Sequence, residues 1–62
     1  MIIQITLNNQ KDLPTLLSHA EANGGLFQKA LQNSEQKLDV SFNFQNSKKA
    51  RKFKKLADLL NQ

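Results

Sequence analysis

The sequence predicts a small single α+β domain over residues 1–62, with the order β-α-(α)-β-α and a two-stranded sheet packed on helices. Two segments alternate apolar and polar residues as half-buried strands do, and two others have the spacing of amphipathic helices. A chain of 62 residues has room for one core of marginal size. Two strands are few for an independent sheet, and dimerisation would complete it.

The first strand is predicted at residues 1–7, which are rich in β-branched side chains. Its apolar and polar residues alternate, with Ile3, Ile5 and Leu7 on one face and Gln4 and Thr6 on the other. This alternation is typical of a half-buried strand.

A helix is predicted from Pro14 to Asn23, after a turn at residues 8–11. Asp12 and Pro14 mark its start, and Pro14 disfavours a helical conformation at Leu13. Leu16, Leu17 and Ala20 form its apolar face, and Gly24 and Gly25 end it.

Residues 26–33 have two interpretations, a second short helix or an irregular turn. The helix would bury Leu26, Phe27, Ala30 and Leu31. The second strand is predicted at residues 38–44, where Leu38, Val40, Phe42 and Phe44 alternate with Asp39, Ser41 and Asn43. The length of the intervening chain permits either a parallel or an antiparallel pairing of the two strands.

The last predicted helix runs from Ser47 to Leu60, capped by Asn46 or Ser47. Its apolar residues lie on one face of a helical wheel: Ala50, Phe53, Leu56, Ala57 and Leu60. The opposite side is basic. Six of the nine Lys and Arg residues of the chain fall between Lys48 and Lys55, and the formal net charge is +4.

The position of these cations is unusual, because positive charge near a helix amino terminus costs roughly 0.3–1 kcal/mol per group. Acidic partners one turn away are nearly absent, and Lys54 with Asp58 is the one candidate pair. An anion at the start of the helix would meet free N–H groups, the positive end of the dipole and several cations together. The arrangement therefore favours an anionic partner near residues 47–55.

The function predicted from this pattern is that of a small nucleic-acid-binding or regulatory protein that contacts phosphates. The candidate nucleic-acid-binding residues are Ser47, Lys48, Lys49, Arg51, Lys52, Lys54 and Lys55. Arg51 is the only arginine, so reading of base sequence has little support, and the choice between DNA and RNA stays open.

Other interpretations of the basic helix exist. A protein-interaction module, such as an inhibitor or adaptor, would dock the same helix or a sheet edge on an acidic protein. A charge run is also commonly just the solvated face of a helix. A membrane-surface helix is less favoured, because the chain lacks the Trp and Tyr that anchor such helices.

Residues for catalysis, metal binding or cofactor binding form no recognisable set. The chain has no cysteine and one histidine, His19, which falls at the edge of the first helix's apolar face or outside it. The five carboxylates have no spacing typical of acid–base pairs. We therefore expect no enzyme and no cofactor. A cytoplasmic protein without a signal peptide or membrane span is the simplest interpretation.

The first half of the chain resembles the ribbon-helix-helix repressors in its pattern. Residues 2–7, a helix ending at Gly24 and residues 26–32 would give that family's strand-helix-helix order. The resemblance implies that Gln4 and Thr6 would occupy the family's groove-facing strand positions. The strand at residues 38–44 and the basic helix lie beyond the resemblance.

Overall fold

A computed structural model describes residues 1–61 and contains three strands and two helices. The elements are β1 (Ile2–Leu7), a 3-10 turn (Gln10–Asp12), α1 (Leu13–Ala22), β2 (Leu26–Gln32), β3 (Leu38–Asn43) and α2 (Ser47–Leu60). The sheet order is β1-β3-β2, and β3 is antiparallel to both neighbours. The α+β class is confirmed. The two-stranded sheet is wrong, because a third strand lies between α1 and β3.

Both helices pack on one face of the sheet and share one core with it. The alternation predicted for β1 and β3 is confirmed, since Ile5, Leu7, Val40 and Phe42 point into that core. The buried residues that complete it come from both helices and from the segment after β3: Leu16, Ala20, Phe44, Ala50, Phe53 and Ala57. Most of the apolar positions that the patterns marked lie in or against this core. The exceptions are Leu17, on the predicted apolar face of the first helix, and Leu26, Phe27 and Leu31, which the predicted second helix would have buried; all four are exposed.

The segment Leu26–Gln32 is a strand, so the predicted short helix or irregular turn is wrong. A register shift between Phe27 and Lys29 explains why its pattern misleads. Such a bulge reverses the side-chain alternation, leaving Phe27 and Ala30 opposite the inward residues Phe42 and Val40. The resulting spacing of apolar residues imitates that of a helix. The ribbon-helix-helix order is likewise absent, because a strand occupies the place of its second helix.

A five-residue turn joins β2 to β3 and fixes the antiparallel pairing. The side chain of Asn33 accepts hydrogen bonds from the backbone nitrogens of Glu35, at 2.9 Å, and Lys37, at 3.1 Å. Gln36 takes a left-handed conformation with φ of 64°. This position usually carries glycine or asparagine, so the sequence lacks the ordinary signal of a hairpin turn.

The first helix begins and ends close to the predicted positions. Leu13 is helical, contrary to the expectation drawn from Pro14, because the preceding 3-10 turn already sets a helical backbone there, with φ of −59° and ψ of −47°. At the other end, Gly24 has φ of 78°, and the backbone N–H of Gly25 donates a hydrogen bond to the carbonyl oxygen of Ala20, at 2.8 Å. These are the features of a glycine-terminated helix, as predicted.

Candidate nucleic-acid interface

Helix α2 is held against the sheet by the apolar stripe that the sequence predicts. Ala50, Phe53 and Ala57 are completely buried, and Leu56 and Leu60 are half-buried. The ring of Phe53 lies with its centroid 5.0 Å from those of both Phe42 and Phe44. This packing fixes the rotation of the helix about its axis, so the opposite side faces solvent.

The predicted site residues all belong to this helix and are all exposed: Ser47, Lys48, Lys49, Arg51, Lys52, Lys54 and Lys55. Lys48, Arg51, Lys52, Lys54 and Lys55 lie on the side opposite the apolar stripe. Lys49 falls within the arc of the apolar stripe on the helical wheel and is nevertheless exposed, in the first turn of the helix. We call the six cations the basic face. Because they occupy the first nine residues of α2, positive charge is concentrated at the amino-terminal part of the helix, and five of the six cations share the side opposite the stripe.

No acidic side chain neutralises the basic face among residues 1–61. The one salt bridge in this part of the chain joins Lys37 to Glu35 at 3.5 Å, in the turn between β2 and β3. Asp58 is exposed and lies one turn from Lys54 without forming an ion pair. The mutual repulsion expected from the sequence is therefore uncompensated within the described fold.

Asn46 caps α2 and thereby changes how an anion would bind. Its side-chain oxygen accepts hydrogen bonds from the backbone nitrogens of Lys48, at 2.9 Å, and Lys49, at 3.1 Å. These N–H groups were expected to be free for an anion. Since they are already satisfied, an anion at this end of the helix would have to be contacted by side chains instead. Ser47 is the first helical residue rather than the cap.

The remaining lysines do not extend the basic face. Lys29 lies opposite Ser41 of β3, on the sheet face away from the helices. Lys37 forms a salt bridge with Glu35. Lys11 lies in the 3-10 turn, close to Asn8, which contacts Asn61 beyond the far end of α2. The positive surface is thus restricted to the amino-terminal part of α2.

An exposed leucine adjoins this surface and was not predicted from the sequence. Leu59 is 61% exposed and lies one and two helical turns from Lys55 and Lys52. The signal was present in the sequence, since a helical wheel places Leu59 away from the apolar stripe. The cations therefore border an apolar side chain at the carboxyl-terminal end of the helix.

The rest of the described chain holds no second candidate site for a metal or a small ligand. Residues 1–61 contain no group of three potential metal ligands and no detectable cavity. The aromatic residues Phe42 and Phe44 lie in the core, as predicted. Within the same residues, neither helix is long and apolar enough to span a membrane.

Comparison with protein-family models, with curated proteins and with solved structures found no match to this chain.

Proposed function

We propose that this protein is a small nucleic-acid-binding or regulatory protein, with a binding role and no catalytic one. The basic face of α2 contacts the phosphate backbone. The observation that carries this proposal is the concentration of six exposed cations on one helix, with no ion pair to any of them among residues 1–61. We place the protein in the cytoplasm, because a chain without cysteine has no disulfide framework.

Electrostatic attraction to phosphates supplies most of the affinity of non-specific nucleic-acid binding. Lysine contributes to it as a flexible point charge that adapts to the position of a phosphate, and five of the six cations are lysines. Arg51 is the one side chain suited to bidentate recognition of guanine. We therefore propose binding through the backbone and its shape, with little dependence on base sequence.

Titration of labelled duplex and single-stranded nucleic acid at low salt tests the proposal. The test variant replaces Lys48, Arg51 and Lys52 with glutamine. The matched control replaces three cations outside the basic face with glutamine: Lys11, Lys29 and Lys37. Both variants lower the formal net charge of +4 by three, to +1.

We expect the α2 variant to lose at least about tenfold in affinity, while the control variant loses much less. Equal losses in the two variants would show that net charge alone, and not the basic face, governs binding. Failure of the unmodified protein to bind at low salt would contradict the proposal outright.

A second function, docking of α2 on an acidic protein, is favoured by Leu59. A nucleic-acid backbone gains little from an exposed leucine, whereas a protein groove gains from apolar contact bordered by charge pairs. Leu59→Ser separates the two proposals. It would leave phosphate binding unchanged but would weaken a protein complex recovered after nuclease treatment.

A further inference from the structure

Strand β1 forms one edge of the sheet, and half of its backbone groups point away from β3. Met1 and Phe44 exchange two hydrogen bonds, of 2.9 Å from the nitrogen of Met1 and 2.8 Å from that of Phe44. In an antiparallel ladder such pairs alternate with non-bonded ones. The N–H and C=O groups of Ile2, Gln4 and Thr6 therefore face outward at the edge.

The two edges of the sheet are built differently. The edge strand β2 contains the bulge between Phe27 and Lys29 and a charged residue, both of which oppose pairing with another strand. Strand β1 has a regular register with β3 over all six residues and contains no charge and no proline. The β1 edge therefore has no bulge, charge or proline that would oppose pairing with another strand.

A side chain covers only one end of the β1 edge. The side-chain nitrogen of Asn61 donates to the carbonyl oxygen of Thr6 at 2.8 Å, and its oxygen accepts from the nitrogen of Asn8 at 3.1 Å. The carboxamide thus makes the two bonds that the backbone of a neighbouring strand would make. The outward N–H and C=O groups of Ile2 and Gln4 are left for a partner.

We infer that β1 pairs antiparallel with β1 of a second copy of this chain, giving a continuous six-stranded sheet. The two-fold axis passes beside Ile3, so that Ile2 of each copy lies opposite Gln4 of the other. This register uses all four free groups of each copy and leaves Asn61 in place. A register shifted toward Thr6 would compete with Asn61 for the carbonyl of that residue.

A second copy suits this edge better than a strand of different chemistry. The strand is uncharged, so pairing with itself places no like charges opposite each other. In this register Met1 and Ile2, which are 60% and 63% exposed, lie opposite Ile5 and Gln4 of the second copy, respectively. A symmetric pairing of identical edges is also closed, so it stops at a dimer.

The pairing places the two α2 helices on the same side of the enlarged sheet. Residues directly opposite each other in an antiparallel pair share a face, and α2 packs against β1 in each copy. Two uncompensated basic faces therefore lie on one side of the dimer and repel each other. Added salt screens this repulsion and should strengthen the dimer, whether or not nucleic acid binds.

Sedimentation equilibrium from micromolar to millimolar concentration tests the inference. Gln4→Pro removes an outward N–H group without touching the bonds between β1 and β3, so the monomer fold should persist. Gln32→Pro is the matched control, because Gln32 also points its N–H group outward, at the β2 edge. Gln4→Pro should raise the dimer dissociation constant at least about tenfold, and Gln32→Pro should leave it unchanged.

A crosslinking experiment gives an independent readout if Gln4→Pro fails to fold. Ile3→Cys brings two sulfurs together across the axis, since opposed residues of a non-bonded pair have Cα atoms about 4.5 Å apart, within disulfide range. The chain has no other cysteine. Mild oxidation should crosslink Ile3→Cys faster than Gln32→Cys. Equal rates, a monomer at all concentrations, or an unchanged dimer of folded Gln4→Pro would overturn the inference.

Discussion

The ring of Phe53 on α2 meets the ring of Phe42 on β3 edge to face, with centroids 5.0 Å apart and planes inclined by 73°. Both side chains are fully buried. This contact joins the helix that carries the basic face to the central strand of the sheet. The orientation of the exposed cations therefore depends on an aromatic contact on the opposite side of the helix.

Replacement of Phe53 by alanine should unfold most of the protein. Removal of a buried phenylalanine ring costs about 3–5 kcal/mol, which is comparable to the whole stability of a domain this small. Urea denaturation followed by circular dichroism measures the effect. Leu59→Ala on the same helix is the control, because an exposed side chain should change stability by no more than about 0.5 kcal/mol. Similar destabilisation of both variants would contradict the described orientation of α2.

The two adjacent glycines should respond differently to substitution. A Cβ atom at Gly25 would overlap Cζ of the buried Phe44 ring, so Gly25→Ala should destabilise the fold by about 1–3 kcal/mol. A Cβ atom at Gly24 meets nothing within 4 Å, and the constraint there is the positive φ. Asparagine tolerates that conformation, so Gly24→Asn should cost less. Thermal unfolding of both variants checks the order, and a reversed order would contradict the packing at Gly25.

The cap of α2 should contribute to stability independently of its charges. Asn46→Ala removes the acceptor of two backbone hydrogen bonds and should cost about 1 kcal/mol, whereas Asn46→Ser keeps an acceptor and should cost less. Chemical denaturation of the two variants measures the difference. If alanine and serine gave equal stability, the side chain of Asn46 would not be the cap.

The basic face should reduce the stability of the helix that carries it. Lys49→Glu places a carboxylate in the first turn of α2, where it interacts favourably with the dipole and, at the third helical position, can complete a capping box with Asn46. We expect a gain of about 0.5–1 kcal/mol in the free energy of unfolding, together with weaker binding of nucleic acid. The control Lys29→Glu on the sheet should not stabilise the fold. A Lys49→Glu protein of unchanged stability would contradict the cost assigned to cations at this end.

Strict periodicity made much of the fold predictable. The strands around Ile5 and Val40 alternate cleanly, and the stripe at Ala50, Phe53 and Ala57 repeats at helical spacing, so these elements follow from sequence alone. Strand β2 could not be predicted from sequence, because its bulge breaks the alternation of apolar and polar residues. In addition, Gln36 occupies a turn position where glycine or asparagine would have signalled a hairpin.

The candidate site was predictable as a surface, since helical spacing alone separates Arg51 and its neighbours from the core. Its detailed chemistry was not. Which N–H groups remain free depends on the side-chain rotamer of Asn46. The exposed Leu59 could have been found from the helical wheel, which places it away from the apolar stripe. The exposed edge of β1 was also unpredictable, because it depends on strand order and on the contact of Asn61 with Thr6.

The salt dependence of nucleic-acid binding tests the central claim most directly. For duplex DNA, the logarithm of the binding constant falls with the logarithm of salt concentration by about 0.9 for each phosphate neutralised. We predict that the variant with glutamine at positions 48, 51 and 52 has a slope smaller by about 0.9 for each phosphate that is no longer neutralised. The variant with glutamine at positions 11, 29 and 37 should have nearly the same slope as the unmodified protein. An unchanged slope in the α2 variant, measured on folded protein, would contradict the assignment of phosphate contacts to the basic face.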